Sequence, residues 1–362
     1  MAELINRLSD AAIDLLIRLI KMPSFSREEG GTATLIQQFL GSHGVEAKRQ
    51  QNNVWAISHY FDGNKPTILL NSHHDTVKPG AGWNSDPFGA ALEGDKLVGL
   101  GSNDAGASVV SLLAAFLYFQ GQDNPFNLIC AITAEEEISG SKGIRSVLPE
   151  FEQIDFGIVG EPTGMNLAIA EKGLVVLDCT AHGKTGHAAR EEGENALYKA
   201  LDDIQWLRGF QFPAVSSLLG PVKMTVTQVS AGAQHNVVPD CCQFVVDVRT
   251  NELYRNQEIV DFLRGKLQSE IVPRSTHLNS SRISENHPFV KQGVAMGKTI
   301  YGSPTLSDQS MMPFETVKMG PGESARSHTP DEFILVSEIR TGIRDYIELL
   351  SNFGAQSIAK LK

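Results

Sequence analysis

Five short segments of the sequence place histidine or carboxylate side chains where an apolar run ends. Imidazole nitrogens and carboxylate oxygens are ligands that zinc accepts in proteins, so the segments together predict a metal site. In chain order they are Ser72-His73-His74-Asp75-Thr76, Gly99-Leu100-Gly101-Ser102-Asn103-Asp104, Ala134-Glu135-Glu136-Glu137, Gly160-Glu161-Pro162-Thr163, and the loop from Gly320 to Glu332 that contains His328.

Each segment alone also has an ordinary explanation. A His-x-Asp pair occurs in many polar loops, Asp104 stands where the N-cap of an apolar helix is expected, and Glu161 and His328 fit surface loops. The run Glu135-Glu136-Glu137 is more informative, because three adjacent negative charges cost free energy unless a cation compensates them or some are exposed. A solvated acidic loop is the alternative for that run.

The elements that must position these residues alternate between strand and helix patterns up to about residue 170. Buried strands are expected at 66–71, 126–133 and 156–160, and helices at 11–20, 32–40 and 104–119. This alternation is typical of an α/β fold with a mostly parallel sheet flanked by helices, whose sites lie beyond the carboxyl ends of the strands. A single sheet could therefore bring the five segments together.

The pattern changes between residues 173 and 282. The order strand, helix, strand, strand, helix, with a weak last strand through His277 and Leu278, predicts a ferredoxin-like α+β domain. After it the α/β pattern resumes, with a terminal helix at 337–350. We therefore expect a large domain of residues 1–172 and 283–362, with a small domain of residues 173–282 inserted into it.

The composition excludes several classes of protein. The 362 residues carry a formal net charge of −11 and show no basic cluster, which argues against binding to nucleic acid. The apolar runs are far shorter than the ~20 residues of a membrane-spanning helix, and charged residues interrupt the N-terminal apolar pattern that a signal peptide needs. Four cysteines without CxxC spacing predict buried, reduced thiols. We expect a cytoplasmic protein that binds neither nucleic acid nor membranes.

In this order the five segments resemble the motifs of the co-catalytic di-zinc amidohydrolases, the family of acetylornithine deacetylase, succinyl-diaminopimelate desuccinylase, aminoacylase and carboxypeptidase G. The resemblance covers essentially the whole chain and implies a zinc exopeptidase-like α/β domain with an inserted dimerisation domain. It implies that His73 and Glu161 bind one zinc ion. Glu137 and His328 would bind the second, and Asp104 would bridge the two. Cobalt or manganese could take the place of zinc.

The same resemblance implies catalytic roles. Glu136 falls on the general base, which would deprotonate a water bound between the zinc ions and then protonate the leaving amine. Asp75 would orient His73 through a hydrogen bond. His187, in the segment Gly183-Lys184-Thr185-Gly186-His187-Ala188, would reach from the small domain of a second subunit to the tetrahedral oxyanion, so the protein would be a homodimer.

Two further residues of the small domain are expected to bind the substrate. By the same resemblance Asn236 and Arg249 contact it, and a guanidinium group suits a free carboxylate on the substrate. A structural salt bridge from Arg249 to Asp247 or Glu252 is the alternative.

The substrate implied is a small N-acyl amino acid. The loop from Gly320 to Glu332 and the chain length resemble those of acetylornithine deacetylases, and this resemblance implies that enzyme, or its acetylcitrulline or succinyl variant, in arginine biosynthesis. Succinyl-diaminopimelate desuccinylase and a dipeptidase of the same family are the alternatives among enzymes. A metal-binding scaffold without turnover is a further alternative, although a purely structural site has no need of a base such as Glu136.

Overall fold

The computed structural model of the protein describes residues 2–353, and these residues divide into two compact units. The large unit comprises residues 2–169, 283–301 and 307–353, and the small unit comprises residues 170–282 and 302–306. The boundaries expected from the sequence differ from these units at residues 170–172 and 302–306. Residues 354–362, which the sequence-based division assigns to the large domain, lie outside the described residues.

The helices and strands alternate along much of the chain. Within residues 2–353 the α-helices are α1 (Ala2–Ile20), α2 (Gly30–Ser42), α3 (Ala107–Phe119), α4 (Ile144–Val147), α5 (Ala196–Gly209), α6 (Asn256–Arg264), α7 (Pro288–Ala295) and α8 (Val336–Asn352). The strands are β1 (Lys48–Gln50), β2 (Asn53–Ile57), β3 (Thr67–His73), β4 (Ala91–Glu93), β5 (Lys96–Val98), β6 (Asn127–Thr133), β7 (Phe156–Val159), β8 (Leu167–Glu171), β9 (Gly173–His182), β10 (Lys223–Ala231), β11 (Cys241–Thr250), β12 (Glu270–Pro273), β13 (Ser281–Arg282), β14 (Ile300–Ser303), β15 (Thr316–Lys318) and β16 (Phe333–Leu335).

The large unit is built on a mixed sheet. Its strand order is β1-β2-β6-β3-β7-β15-β8. The central strands β6, β3, β7 and β15 run parallel, whereas β1, β2 and β8 pair antiparallel with their neighbours. Nearly every residue of α3 is buried, as expected of a helix that is apolar on all sides. The predicted α/β fold with parallel strands is confirmed, and antiparallel strands extend it at the edges.

Three neighbouring parallel strands end at the same edge of this sheet. β3 ends at His73, β6 at Thr133 and β7 at Val159, and the register pairs His73 with Thr133 and Asn71 with Val159. The strands themselves are buried on both faces, as parallel strands in the middle of such a sheet are. The polar segments that follow them are therefore brought to one edge, where sites of open α/β sheets lie.

The small unit contains a four-stranded antiparallel sheet with the order β10-β11-β9-β12. With α5 after β9 and α6 after β11, this is the ferredoxin-like arrangement that the sequence predicts. β9 alternates buried and partly exposed residues, so one face of the sheet covers the core of the unit. The last strand lies at Glu270–Pro273 and not at His277 and Leu278 as predicted, because Ile271 supplies the buried side chain that pairs opposite Cys179.

The segment around Asp104 is not part of the long helix that the sequence predicts from residue 104. Asp104 has φ −115° and ψ 99°, and regular α-helix begins only at Ala107. Asp104 is therefore not the N-cap of α3, which was its ordinary explanation. A second unpredicted feature is the sheet β16-β5-β4, whose strands of three residues each are too short to show a periodic pattern.

The cysteines and the helices bear on two further expectations. Cys130, Cys179 and Cys242 are free and buried, but Cys241 is free and exposed. The prediction of buried thiols is wrong for Cys241, because neighbouring residues of a strand point to opposite faces of the sheet. None of the helices within residues 2–353 combines the length and apolar character that crossing a membrane requires.

Candidate metal centre

His73 is the last residue of β3 and is almost fully buried, with 1% of its side chain exposed. Its Nδ1 lies 3.0 Å from the carbonyl oxygen of Asp75 and 3.4 Å from the carboxylate Oδ1 of the same residue. The hydrogen on Nδ1 is therefore directed to Asp75, and Nε2 is left to face the carboxylates of Asp104 and Glu161. The structure thus brings Asp75 against His73, with the shorter contact made by its main chain.

Asp104 lies between two histidines. Its Oδ1 is 3.3 Å from Nε2 of His73, and its Oδ2 is 3.7 Å from Nε2 of His328. The two oxygens of one carboxylate thus face imidazoles that are far apart in the sequence. A carboxylate in this position can offer one oxygen to each of two cations.

A short 3-10 turn follows β6; it begins at Glu136 and ends at Ile138. Asp75 holds the start of this turn, since its Oδ1 accepts a hydrogen bond from the N–H of Glu136 (3.0 Å) and its Oδ2 accepts one from the N–H of Glu137 (3.2 Å). Oδ2 also accepts a bond from the hydroxyl of Ser26 at 2.7 Å. Glu135 precedes the turn with a left-handed backbone, φ 56°, which turns the chain sharply at the strand end.

The remaining side chains close the cluster from two directions. Oε1 of Glu161 lies 3.6 Å from Nε2 of His73, and Oε2 of Glu136 lies 3.9 Å from the same nitrogen. On the other side, Nε2 of His328 lies 3.0 Å from Oε2 of Glu137. His328 is about half exposed and has φ 58°, so a loop presents it from the solvent side.

We call the six residues that converge here the metal cluster: His73, Asp104, Glu136, Glu137, Glu161 and His328. Two overlapping groups of them place one donor atom each within 4.8 Å of one another, namely His73 with Glu136 and Glu161, and His73 with Asp104 and Glu137. All five ligands expected from the sequence belong to the cluster. Glu136, which is expected to be the base, lies among these ligands with its Oε2 3.9 Å from Nε2 of His73, so it could also bind a cation.

Crowded carboxylates dominate the electrostatics of the cluster. Burial and the negative charges of Glu161, Asp308 and Glu137 raise the pKa of Glu136 well above its ordinary value. Burial also raises the pKa of Glu161, to about 8. Glu135 is 5% exposed, and the side chains of Glu136 and Glu137 are 11% and 8% exposed, so the alternative of a solvated acidic loop does not apply here.

The pKa values of the two histidines are also raised, because carboxylates surround them. Burial lowers the pKa of His73, but the surrounding carboxylates, Glu136 first among them, outweigh burial and raise this pKa well above its ordinary value. The hydrogen bond to Glu137 raises the pKa of His328 to about 9. Divalent cations among these side chains would offset the repulsion between the carboxylates, so the donor set fits a metal centre of nitrogen and oxygen ligands.

The three site residues expected in the small unit have a different setting. His187 and Asn236 are exposed and lie on adjacent segments, since the N–H of Ala188 donates to the carbonyl oxygen of Asn236 at 3.0 Å. Arg249 makes a two-pronged salt bridge to Asp247, with Nε 2.9 Å from Oδ1 and Nη2 3.1 Å from Oδ2. The salt bridge named as the alternative for Arg249 is therefore present.

Sequence analysis missed several buried polar residues that support the metal cluster. Glu332 accepts hydrogen bonds from the N–H groups of Asn103 and Asp104, and Glu29 accepts one from the N–H of Glu135. Asp308 accepts a hydrogen bond from the hydroxyl of Thr133, and burial raises its pKa to about 7. Glu332 stands in the same loop as His328, so its place in that segment was the one available signal. Glu29 and Asp308 follow no motif that singled them out.

Comparison with known proteins identifies the family. Residues 69–352 match Peptidase family M20/M25/M40. Among curated relatives, succinyl-diaminopimelate desuccinylase 2 of Ruegeria sp. (strain TM1040) is 29% identical over 272 residues, which cover 69% of this chain and 68% of that protein. Further curated relatives also carry the name succinyl-diaminopimelate desuccinylase.

Solved structures share the fold over nearly the whole chain. The aminopeptidase PepT of Bacillus cereus ATCC 10987 has a TM-score of 0.76 at 18% identity and covers 97% of this chain and 99% of its own. The Bacillus subtilis protein YXEP, described as a dinuclear metal-binding peptidase of the M20 family, has a TM-score of 0.70 at 16% identity and covers 98% of this chain and 99% of its own. Since the family match spans well over half of the chain and the fold agrees with it, the protein belongs to the metal-dependent hydrolases of peptidase family M20/M25/M40.

Proposed function

We propose that the protein hydrolyses the amide bond of an N-acyl amino acid at a site that holds two metal ions. The observation that carries this proposal is the position of Asp104, whose Oδ1 faces His73 at 3.3 Å and whose Oδ2 faces His328 at 3.7 Å. A carboxylate that bridges two ions needs this arrangement. A structural zinc site would instead close four ligands around a single ion.

The proposed ligands divide between the two sides of Asp104. His73 and Glu161 would hold one ion, Glu137 and His328 would hold the other, and Asp104 would offer one oxygen to each. Zinc is the proposed metal, and cobalt or manganese suits the same set of nitrogen and oxygen donors. When bound, the ions would polarise the amide carbonyl and lower the pKa of the attacking water.

Glu136 is the proposed general base. It accepts the proton of the attacking water and donates it to the nitrogen of the leaving amine, so it ends the cycle in the state in which it began. Two features support this role: the Glu136 carboxylate stands beside the ligands, and Asp75 fixes the N–H of Glu136 at 3.0 Å. Asp75 thereby holds the base and the ligand Glu137 on one rigid turn.

We further propose that the small unit contributes to catalysis and substrate binding. His187 would stabilise the oxyanion in the site of a second subunit of a homodimer, and Asn236 would contact the substrate. Arg249 would bind the free carboxylate of the substrate, with Asp247 holding its guanidinium group in a fixed plane. The homodimer and the cytoplasmic location stay predictions.

Two substrates follow from different observations. The resemblance of the loop from Gly320 to Glu332 to that of acetylornithine deacetylases favours N-acetylornithine, or the acetylcitrulline or succinyl variant, in arginine biosynthesis. The names of the curated relatives favour N-succinyl-diaminopimelate. The second substrate carries carboxylates at both ends, so its recognition needs a second cationic side chain in addition to Arg249.

A panel of substrates tests the proposal. Release of free amine is measured with the purified protein, loaded with zinc or cobalt, on N-acetyl and N-succinyl derivatives of ornithine, citrulline and diaminopimelate, with unblocked dipeptides as controls. We expect turnover of one N-acyl amino acid, lost on chelation and restored by added metal. If two ions are bound but none of the N-acyl amino acids is hydrolysed, the deacylase is refuted. Cleavage of the dipeptides would then favour a dipeptidase, and no cleavage would favour a scaffold.

A further inference from the structure

A buried carboxylate that the proposed reaction does not use lies behind the bridging residue. Glu332 is 2% exposed. Its Oε1 accepts hydrogen bonds from the N–H groups of Asn103 and Asp104, both at 2.9 Å, and its Oε2 accepts one from the N–H of Gly101 at 3.2 Å. One side chain thus binds three main-chain donors of the segment that carries Asp104.

This segment needs outside support because its backbone is irregular. Gly101 has φ 73°, in the left-handed region that suits glycine, and Asp104 has a non-helical backbone before α3 begins at Ala107. The N–H groups ahead of a helix have no acceptor within it, and buried donors without a partner cost free energy. Glu332 supplies the acceptors, so the orientation of the Asp104 peptide depends on this side chain.

Glu332 is itself held on both sides. Its carbonyl oxygen accepts a hydrogen bond from the N–H of Gly99 at 2.9 Å, and the next residue begins β16, which pairs with β5. It also follows His328 by four positions in the same loop. The segment that carries Asp104 and the loop that carries His328 are therefore tied together through this one residue.

A second tie runs between the same two segments. Oδ1 of Asn103 accepts a hydrogen bond from the N–H of Glu323 at 3.0 Å, and Nδ2 of Asn103 donates to the carbonyl oxygen of Glu323 at 3.1 Å. The same Nδ2 lies 3.3 Å from the hydroxyl of Ser327, next to His328. These bonds fix the neighbour of Asp104, whereas Glu332 binds the N–H of Asp104 itself.

We propose that Glu332 is a positioning residue that aims the Asp104 carboxylate between His73 and His328 and so sets the affinity of the site for its metal ions. The inference rests on the proposed two-metal function. Residues that orient a metal ligand through hydrogen bonds typically change metal affinity about 10- to 100-fold when they are replaced. Glu332 acts through Asp104, because its carboxylate binds the main-chain N–H groups of the segment that carries this ligand.

The variant that tests this is Glu332→Gln. Glutamine keeps the size and most of the shape of the side chain, but its NH2 group cannot accept a hydrogen bond, so at least one of the three main-chain donors loses its partner. Asp331→Asn is a matched control. Asp331 is the adjacent residue, and its carboxylate accepts hydrogen bonds from the main chain and side chains of Asn84 and Ser85, which carry no metal ligand.

The measurement is calorimetric titration of the metal-free full-length chains with Co²⁺, after circular dichroism and thermal unfolding have shown that each variant folds. We expect wild type to bind two ions per chain, and Asp331→Asn to match it in affinity even if it unfolds at a lower temperature. Glu332→Gln should bind at least one ion about 10- to 100-fold more weakly. The electron paramagnetic resonance signal of the Co²⁺-loaded protein should also change in Glu332→Gln alone, because it reports the bridge between the ions.

The outcomes separate this inference from the function on which it rests. Wild type that fails to bind two ions would overturn the two-metal function, and the inference with it. Two ions in wild type, with the same affinity and the same spectrum in Glu332→Gln and Asp331→Asn, would overturn the inference alone. If Glu332→Gln does not fold, Glu332→Asp replaces it: this variant keeps the charge but shortens the reach by one methylene, and wild-type affinity in it would equally overturn the inference.

Discussion

The metal cluster and the substrate-binding residues expected in the small unit differ in how firmly the structure holds them. His73 is almost fully buried, and the carboxylates of Asp75 and Glu332 accept hydrogen bonds from the main-chain N–H groups of three residues of the cluster. His187 and Asn236 are exposed; Nδ1 of His187 accepts a hydrogen bond from the N–H of Ala189, and the carbonyl oxygen of Asn236 accepts one from the N–H of Ala188. Arg249, on β11, is satisfied by Asp247.

This difference shows what each region needs in order to act. The side chains of the metal cluster lie together before any cation binds, and cations would offset their excess of negative charge. The chemistry of the cluster can therefore be inferred from one chain. The small-unit residues lack such an imbalance, since Arg249 already has its counterion. Their proposed roles require a substrate or a second subunit, and experiments on them must supply one or the other.

The largest expected effect is on the base. Glu136→Gln removes the group that accepts the proton of the attacking water but keeps the shape of the side chain, so we expect kcat to fall about 10²- to 10⁴-fold. The metal content, measured by mass spectrometry of the purified protein, should stay at the wild-type value. An unchanged kcat would remove Glu136 from the mechanism, and a loss of metal would make it a ligand.

The next effect concerns the reach of the small unit into a second subunit. His187→Ala should lower kcat about 10²- to 10³-fold, the usual cost of losing one group that stabilises an oxyanion. Mixing it with Glu136→Gln under conditions that exchange subunits should restore activity, because a hybrid dimer joins an intact Glu136 to an intact His187. If the mixture stays inactive while size-exclusion chromatography shows hybrid dimers, His187 does not act across the interface.

A smaller effect separates the two explanations of Arg249. Arg249→Lys keeps the charge but loses the two-pronged contact, so KM should rise about tenfold or more while kcat changes little. Asp247→Asn, which removes the intramolecular partner, should leave KM within a few-fold of wild type, because a partly exposed ion pair contributes little free energy. If both variants lower the melting temperature equally and neither changes KM, the salt bridge is the whole role of Arg249.

Much of the metal cluster could be predicted from the sequence, because its residues follow strand ends. Once β3, β6 and β7 run parallel, their carboxyl ends must meet, and His73, Glu137 and Glu161 meet with them. The predicted helix start at Asp104 was wrong because its backbone is held by Glu332, more than two hundred positions away. Hydrogen bonds across such a separation leave no periodic pattern in the sequence.

Contacts between residues distant in the sequence also decide where the last strand of the small unit lies. The order of strands and helices in this unit was predicted from the sequence pattern, but its last strand was predicted through His277 and Leu278, where that pattern is weak. The pairing of Ile271 opposite Cys179 places this strand at Glu270–Pro273 instead. Local patterns therefore fix the kind of element, and tertiary pairing fixes its place.

His287, a buried histidine outside the metal cluster, provides a contrast with His73. His287 is 4% exposed and packs against the rings of Phe156 and Phe353, without the carboxylates that surround His73. Its Nδ1 accepts a hydrogen bond from the N–H of Phe289 at the start of α7. Burial alone lowers the pKa of His287 from 6.5 to about 4.

His287 should therefore destabilise the fold in acid without affecting the reaction. As the pH falls below 6.5 the unfolded chain binds a proton that the folded chain excludes until about pH 4, so stability is lost across this interval and the loss levels off below it. His287→Asn keeps the acceptor that caps α7 and cannot titrate. Between pH 7 and pH 5 the free energy of unfolding in urea should fall by about 1–2 kcal/mol more in wild type than in this variant. An equal loss of unfolding free energy in the two proteins would mean that burial among the aromatic rings does not lower the pKa of His287. The contrast with His73 would then be wrong.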